Sequence, residues 1–262
     1  CGILILFNAE KCGFPQRKNL AACVWGAGKG RTLCAKMERR CTERGEASVK
    51  KRILLGLISV FKALYNAVYA VMKLRPMQKK VVMISRQSNS QRPDFEQLGA
   101  EIEARDPGVR LVYLCREMGD TPLELLRYCF HLLHCAAELS TAHVCIIDGY
   151  CIPVSVLHHR KELRVVQVWH ALGAIKKFGR QALSVPGGRD KELAERMGMH
   201  KHYDAVLCAS HRTAKAYEEA FGVSADKMRV TGVPRVDAIL KMNRARCRRR
   251  FFAAYPELRG QK

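Results

Sequence analysis

The stretch Val165-Val-Gln-Val-Trp-His170-Ala-Leu-Gly173-Ala-Ile-Lys176-Lys177-Phe-Gly179 opens as a β-branched run and then breaks into small and charged residues. That pattern reads as a buried strand that delivers His170 at its carboxyl end. Gly173 permits a tight turn, and Lys176 and Lys177 follow within a few residues. A histidine in this place can take a proton near neutral pH. Two lysines beside it can hold phosphate oxygens and stabilise charge developing on them. The plainer readings stand beside these: a strand-end histidine that only hydrogen-bonds its neighbours, and lysines that solvate the first turn of a helix.

Outward from this stretch, short β-branched runs recur at Val81–Ser85, Arg110–Cys115, His143–Asp148, Ala205–Ala209 and Arg229–Thr231. Helical patterns lie between most of them, at Asp94–Ala104, Pro122–Glu138, Asp190–Met197 and His211–Phe221. Thr121, Pro122 and Glu124 have the order of a capping box with proline at the first helical position. Ser210 can open the last of these helices and Gly222 close it. Strands alternating with helices over residues 79–237 predict an α/β fold with a Rossmann-like, doubly wound parallel sheet. Ligands of such sheets sit at the carboxyl ends of the strands, which is where His170 falls. Asp148, ahead of Gly149 and Tyr150, has the same placement and reads either as a cleft residue or as part of a turn.

The chain has 262 residues, enough for one large α/β domain with an appendage. Its formal charge of +22 points to anionic partners. The excess sits at the ends, with net +8 over residues 1–52 and net +7 over residues 238–262. No RNP-type motif, zinc-finger spacing or helix-turn-helix accompanies it, so no nucleic-acid partner is expected. The twelve cysteines include no C-x-x-C pair, which argues for a reducing compartment rather than a disulfide scaffold. His131 with His134 and Cys135, His158 with His159, and His200 with His202 each lack four ligands at useful spacing, so no metal is expected.

Residues 1–50 form a basic segment without trusted periodicity, and residues 51–78 an amphipathic helix. Within Ile53–Leu74, Ser59, Lys62, Asn66, Tyr69 and Lys73 fall on one helical stripe. A lysine in mid-membrane costs about 3 kcal/mol, so a surface helix is expected over a spanning one. Its polar stripe would then lie among anionic headgroups, with Leu55, Phe61, Leu64 and Val68 in the lipid. A helix packed on the domain's own core is the alternative.

Gln167-Val-Trp-His-Ala-Leu-Gly-Ala-Ile-Lys-Lys-Phe-Gly179 closely resembles the signature of the CDP-glycerol glycerophosphotransferase family, the polymerases and primases of wall teichoic acid. Met199-His-Lys-His-Tyr-Asp204 resembles that family's approach to its next strand. Glu219-Ala-Phe-Gly222 and Val230-Thr-Gly-Val-Pro-Arg-Val-Asp237 resemble its later signatures, and the likeness covers roughly residues 50–255. Ala171 stands where many members have glycine.

The resemblance implies the N-terminal, acceptor-side domain of a GT-B type transferase. His170 would be the catalytic base, with Trp169, Gly173, Lys176, Lys177 and Arg235 on the substrate side and no cofactor. Pro234 and Arg235 would also shape a hinge, and Asp237 would cap the helix after it. The donor would be CDP-glycerol and the acceptor a lipid-linked poly(glycerol phosphate), with CMP released. The enzyme would sit peripherally on the anionic cytoplasmic face of the plasma membrane. Residues 238–262 would be a basic helix and linker, where Arg244, Arg246 and Arg248–Arg250 are solvated, leading to a C-terminal donor domain that the chain lacks. Alone it would be incomplete and inactive. A GT-B transferase using CDP-ribitol or a nucleotide sugar is the alternative, as is a non-catalytic basic module that binds membranes or polyanions.

Overall fold

Six short strands make one parallel sheet, and their order fixes where a ligand can enter. A computed structural model describes residues 30–186 and 188–260, with residues 30–48 described through their backbone. The strands are β1 (Gln78–Ser85), β2 (Arg110–Cys115), β3 (Ala142–Ile147), β4 (Arg164–Gln167), β5 (Ala205–Cys208) and β6 (Met228–Val230). Their order across the sheet is β2-β1-β3-β4-β5-β6, with every neighbouring pair parallel. The chain therefore builds outward in one direction from β1, then in the other from β3. The crevice beyond the carboxyl ends of β1 and β3 is the place where sheets of this kind bind ligands.

Helices cover both faces. The helix α1 spans Gly30–Met72, α2 Pro93–Arg105, α3 Pro122–Leu139, α4 Ile152–Val156, α5 Lys191–Arg196 and α6 His211–Phe221. The chain ends in α7 (Pro234–Leu240) and α8 (Arg244–Ala254). The caps are those expected: Thr121 and Glu124 form a capping box, Ser210 accepts from Thr213, and Gly222 ends α6 at φ 64°. On one face of the sheet Val82, Ile84, Cys145, Ile147 and Val165 pack under α1, α3 and α6. On the other, Val81, Met83 and Ile146 pack on Phe95 of α2. This alternation follows from the two-residue period of a strand buried on both sides.

The helix α1 is continuous across the boundary placed at residue 50. Residues 30–50 are rich in helix formers such as Ala, Glu, Lys and Arg but have no apolar stripe, so propensity favours a helix that periodicity does not reveal. The cysteines at positions 1, 12 and 23 lie outside the described residues.

The polar stripe of α1 points the opposite way from the expectation. It faces the protein, where it satisfies carbonyls left over at the ends of short helices. Lys62 donates to the Arg196 carbonyl at the end of α5, and Asn66 to the Val156 carbonyl at the end of α4. Lys73 donates to the His158 carbonyl, while the His158 amide donates to Asn66 Oδ1. Tyr69 and His159 Nδ1 lie 3.0 Å apart, and His159 Nε2 donates to the Val154 carbonyl at 2.9 Å. Leu55 is buried and Phe61 half-buried on this inner side, whereas Ile53, Leu57, Val60, Leu64, Val68 and Val71 are exposed. Spacing tells which residues share a face; only the unpaired carbonyls decide which face turns inward.

Asn66→Ala is expected to lower the unfolding free energy by about 1–3 kcal/mol, because it strands a buried carbonyl and an amide. An unchanged urea midpoint would mean that the stripe does not dock on the domain. A pH dependence follows as well. Burial pushes His131 and His159 down to about 4 and His200 to about 3. The unfolded chain therefore binds more protons below the ordinary imidazole value, and stability falls as pH drops from about 6.5 toward 4. Urea midpoints across that range should show a slope that His159→Gln makes shallower; an identical slope contradicts the buried neutral ring.

Candidate active site

Three strand ends supply the floor of a cavity of about 430 Å³. Arg86 and Gln87 follow β1, Tyr150 follows β3, and Trp169 and His170 follow β4. The long connection from β4 to β5 closes the remaining side with Lys176, Lys177, Phe178, Gly179, Arg189 and His200. Four cations thus line the cavity and no carboxylate does so among the described residues. Such a site concentrates anions.

The ring of His170 is held at one nitrogen. Its Nδ1 lies 2.7 Å from the carbonyl oxygen of Asp148. A carbonyl only accepts, so Nδ1 carries the hydrogen and the neutral ring keeps its lone pair on Nε2. The Asp148 side chain is turned the other way and is buried. Ser85 donates to it at 2.6 Å and the Arg92 guanidinium lies 3.5 Å away. Burial pushes its carboxyl above the ordinary value, against the pull of Ser85 and Arg92. Asp148 thus acts through its main chain, which neither reading of it as a cleft or a turn residue anticipated.

Gln167, fully buried, ties the two loops together. Its Nε2 donates to the Gly149 carbonyl at 3.1 Å, and its Oε1 accepts from the Trp169 amide at 2.8 Å. Trp169 sits at φ 58°, in the left-handed region that non-glycine residues seldom enter. Packing holds it there: the indole stacks on Phe178 at 4.6 Å and meets Phe221 edge-on at 5.2 Å. The same bend brings the His170 ring to 4.0 Å from the indole. Strain of this kind persists where the surroundings over-determine it, as at functional sites.

The expected site residues divide into two groups. Trp169, His170, Lys176 and Lys177 converge on the cavity. Gly173 lies outside it, and a Cβ added there meets nothing within 4 Å. Gly179 is the glycine this loop requires: it has φ 56°, and a Cβ would lie 2.2 Å from the Ala220 carbonyl oxygen. Arg235, placed on the substrate side by its motif, is not among the residues that line the cavity. Its Nε and Nη2 bind the buried carboxylate of Asp94, and its Nη1 donates to the His170 carbonyl at 2.7 Å. All three nitrogens of its fork are occupied, and α7 is thereby tied to α2 and to the base. Arg86, Gln87, Tyr150 and Arg189 were not singled out by the sequence. The first three directly follow strands, which was the available signal; Arg189 has none.

The chain matches the sequence profile of CDP-glycerol:poly(glycerophosphate) glycerophosphotransferases over residues 67–261. It is 29% identical to a teichoic acid ribitol-phosphate primase of Bacillus spizizenii over 79% of this chain and 54% of that protein. It is 27% identical to a poly(ribitol-phosphate) polymerase of the same organism over 76% of this chain and 31% of that protein. A teichoic acid glycerol-phosphate primase of Bacillus subtilis is 28% identical over 44% of this chain and 30% of its own length. The chain thus spans about half the length, or less, of these relatives. Its fold is that of a solved variant of the wall teichoic acid polymerase TagF, with a TM-score of 0.52 and 13% identity over 79% of this chain and 53% of that one.

The two loop glycines give a paired test. Gly179→Ala is expected to cost about 1–3 kcal/mol of stability from its left-handed backbone alone, with the clash adding to it. Gly173→Ala should change stability by less than about 0.5 kcal/mol. Thermal unfolding of the two variants side by side checks this, and equal effects would contradict the loop geometry.

Proposed function

Because this chain belongs to the CDP-glycerol:poly(glycerophosphate) glycerophosphotransferase family, we propose that it carries the acceptor-activating site of a polyol-phosphate transferase of teichoic acid synthesis. The observation that carries this reading is the bond from His170 Nδ1 to the Asp148 carbonyl, beside four cavity cations. It leaves Nε2 as a proton acceptor among groups suited to phosphates.

In the proposed reaction Nε2 of His170 takes the proton from the terminal hydroxyl of a lipid-linked glycerophosphate acceptor. That oxygen attacks the β-phosphorus of CDP-glycerol. The new oxygen–phosphorus bond forms as the bond to CMP breaks, and CMP leaves with the electron pair. The imidazolium returns its proton to solvent. Lys176 and Lys177, both exposed, offset charge on the phosphoryl oxygens. Positioning and electrostatic relief are what phosphoryl transfer chiefly needs. The cytidine of the donor is held by a second domain in a GT-B cleft.

Glycerol is the polyol we favour, on the match to the family profile; ribitol is the second reading, supported by the ribitol-phosphate primase and polymerase among the relatives. Competition between CDP-glycerol and CDP-ribitol in the full-length protein separates them. A non-catalytic basic module is disfavoured by the supported imidazole.

The same reading places the protein on the anionic cytoplasmic face of the plasma membrane, without crossing it. Residues Val49–Met72 are long and apolar enough to span a bilayer. Their polar side is instead hydrogen-bonded to the domain, which favours a helix lying flat. Leu57, Leu64 and Val71 are exposed on its outer side, as are Leu123, Leu126 and Phe130 on α3. Tyr65 of α1 donates to the Leu132 carbonyl, so the two helices sit side by side. Arg52 and Arg127 are exposed near them and suit anionic headgroups.

His170→Ala in the full-length protein is expected to lower CMP release by about 10²–10⁴-fold with the fold intact; unchanged turnover would remove the base assignment. Leu64→Glu combined with Phe130→Glu should abolish co-sedimentation with anionic vesicles at low salt. Undiminished binding by that variant would rule out this face as the attachment surface.

A further inference from the structure

We propose that Arg86 and Arg189, both mounted on the ring of Tyr150, clamp a backbone phosphodiester of the acceptor chain beside His170. The proposal rests on the transferase reading of the cavity and names a binding element within it. The two guanidinium carbons lie 5.9 and 5.3 Å from the centre of the Tyr150 ring. That ring is a fixed platform: Tyr150 is buried and its hydroxyl donates to the Met197 carbonyl at 3.2 Å. Both arginines line the cavity, and neither takes part in an ion pair among the described residues. Arg86 reaches only the Tyr150 carbonyl, at 3.4 Å, and its buried Nε has no hydrogen-bond partner.

Of the other half-buried arginines, Arg235 pairs with Asp94 and Arg92 with Asp148, while Arg160, which has no carboxylate, donates to the Lys73 and Arg75 carbonyls outside the cavity. Leaving Arg86 and Arg189 without carboxylates in a cavity is unfavourable unless a ligand supplies the anion. A guanidinium fork fits the two oxygens of a phosphodiester, and stacking on an aromatic ring pre-orders it. Lys176 and Lys177 are different in kind, since they are exposed and act as point charges. The clamp sits close to the base: a Cβ on Gly149, the residue before Tyr150, would lie 3.8 Å from His170 Nδ1 and 3.4 Å from Gln87 Nε2. An acceptor whose phosphodiester rests on the arginines can therefore offer its terminal hydroxyl to the imidazole. Such a clamp selects a phosphate-bearing acceptor over a neutral polyol.

The test uses steady-state kinetics of the full-length protein with a CDP-polyol donor and a soluble glycerophosphate trimer as acceptor. Arg86→Gln and Arg189→Gln should each raise the KM for the trimer about tenfold or more, as expected for loss of a charge-assisted bond. The donor KM and kcat should stay near those of the parent. Arg86→Lys and Arg189→Lys keep the charge but lose the fork, and should give intermediate values, which separates binding from misfolding. A rise confined to the donor KM would assign the arginines to the donor diphosphate and overturn the proposal, as would unchanged values for both substrates. Loss of turnover in His170→Ala alongside unchanged arginine variants would overturn the clamp and keep the transferase reading. Full turnover in His170→Ala would instead overturn that reading.

Discussion

One hydrogen bond, from the ring of His170 to the main-chain carbonyl of Asp148, sets what the site can do. A carbonyl partner at Nδ1 is available at any pH and cannot compete for the proton that Nε2 is to receive. Its position depends on the turn after β3, and that turn is held from below by Ser85 and Arg92 acting on the Asp148 carboxylate. Gln167 ties the same turn to the bend at Trp169. Three adjacent strands of a parallel sheet thus end in loops that fix one another, and the imidazole is where they meet.

The second support comes from outside the sheet. Arg235 carries the first turn of α7 onto Asp94 of α2 and at the same time holds the main chain of His170. An arginine suits this place because three nitrogens in one plane reach two partners at once. The aromatic group of Trp169, Phe178, Tyr217 and Phe221 does comparable service for the loop, holding a tryptophan in a backbone region that resists it. The cavity itself is then left with four cations, Gln87 and the imidazoles of His170 and His200 among its polar groups.

Much of this was legible in the residues. The strands and most helices followed from period and caps, because Thr121, Glu124, Ser210 and Gly222 do locally what such residues do everywhere. His170 and the two lysines fell at a strand end, where parallel sheets place their chemistry. The rest depended on contacts between distant segments. Nothing in Asp94 and Arg235, 141 positions apart, announces a pair. Arg189 reaches Tyr150 across an irregular loop with no periodicity to read. The orientation of α1 was invisible for a different reason: its lysines and asparagine suit headgroups or helix-end carbonyls equally, and only the short helices α4 and α5 offer the carbonyls.

The tautomer of the His170 ring decides whether the site can take a proton, and nitrogen NMR of imidazole-labelled protein reads that tautomer directly. The spectrum of the neutral His170 ring should show a protonated Nδ1 and a bare Nε2. A proton found on Nε2 instead would leave no lone pair toward the cavity and would contradict the account.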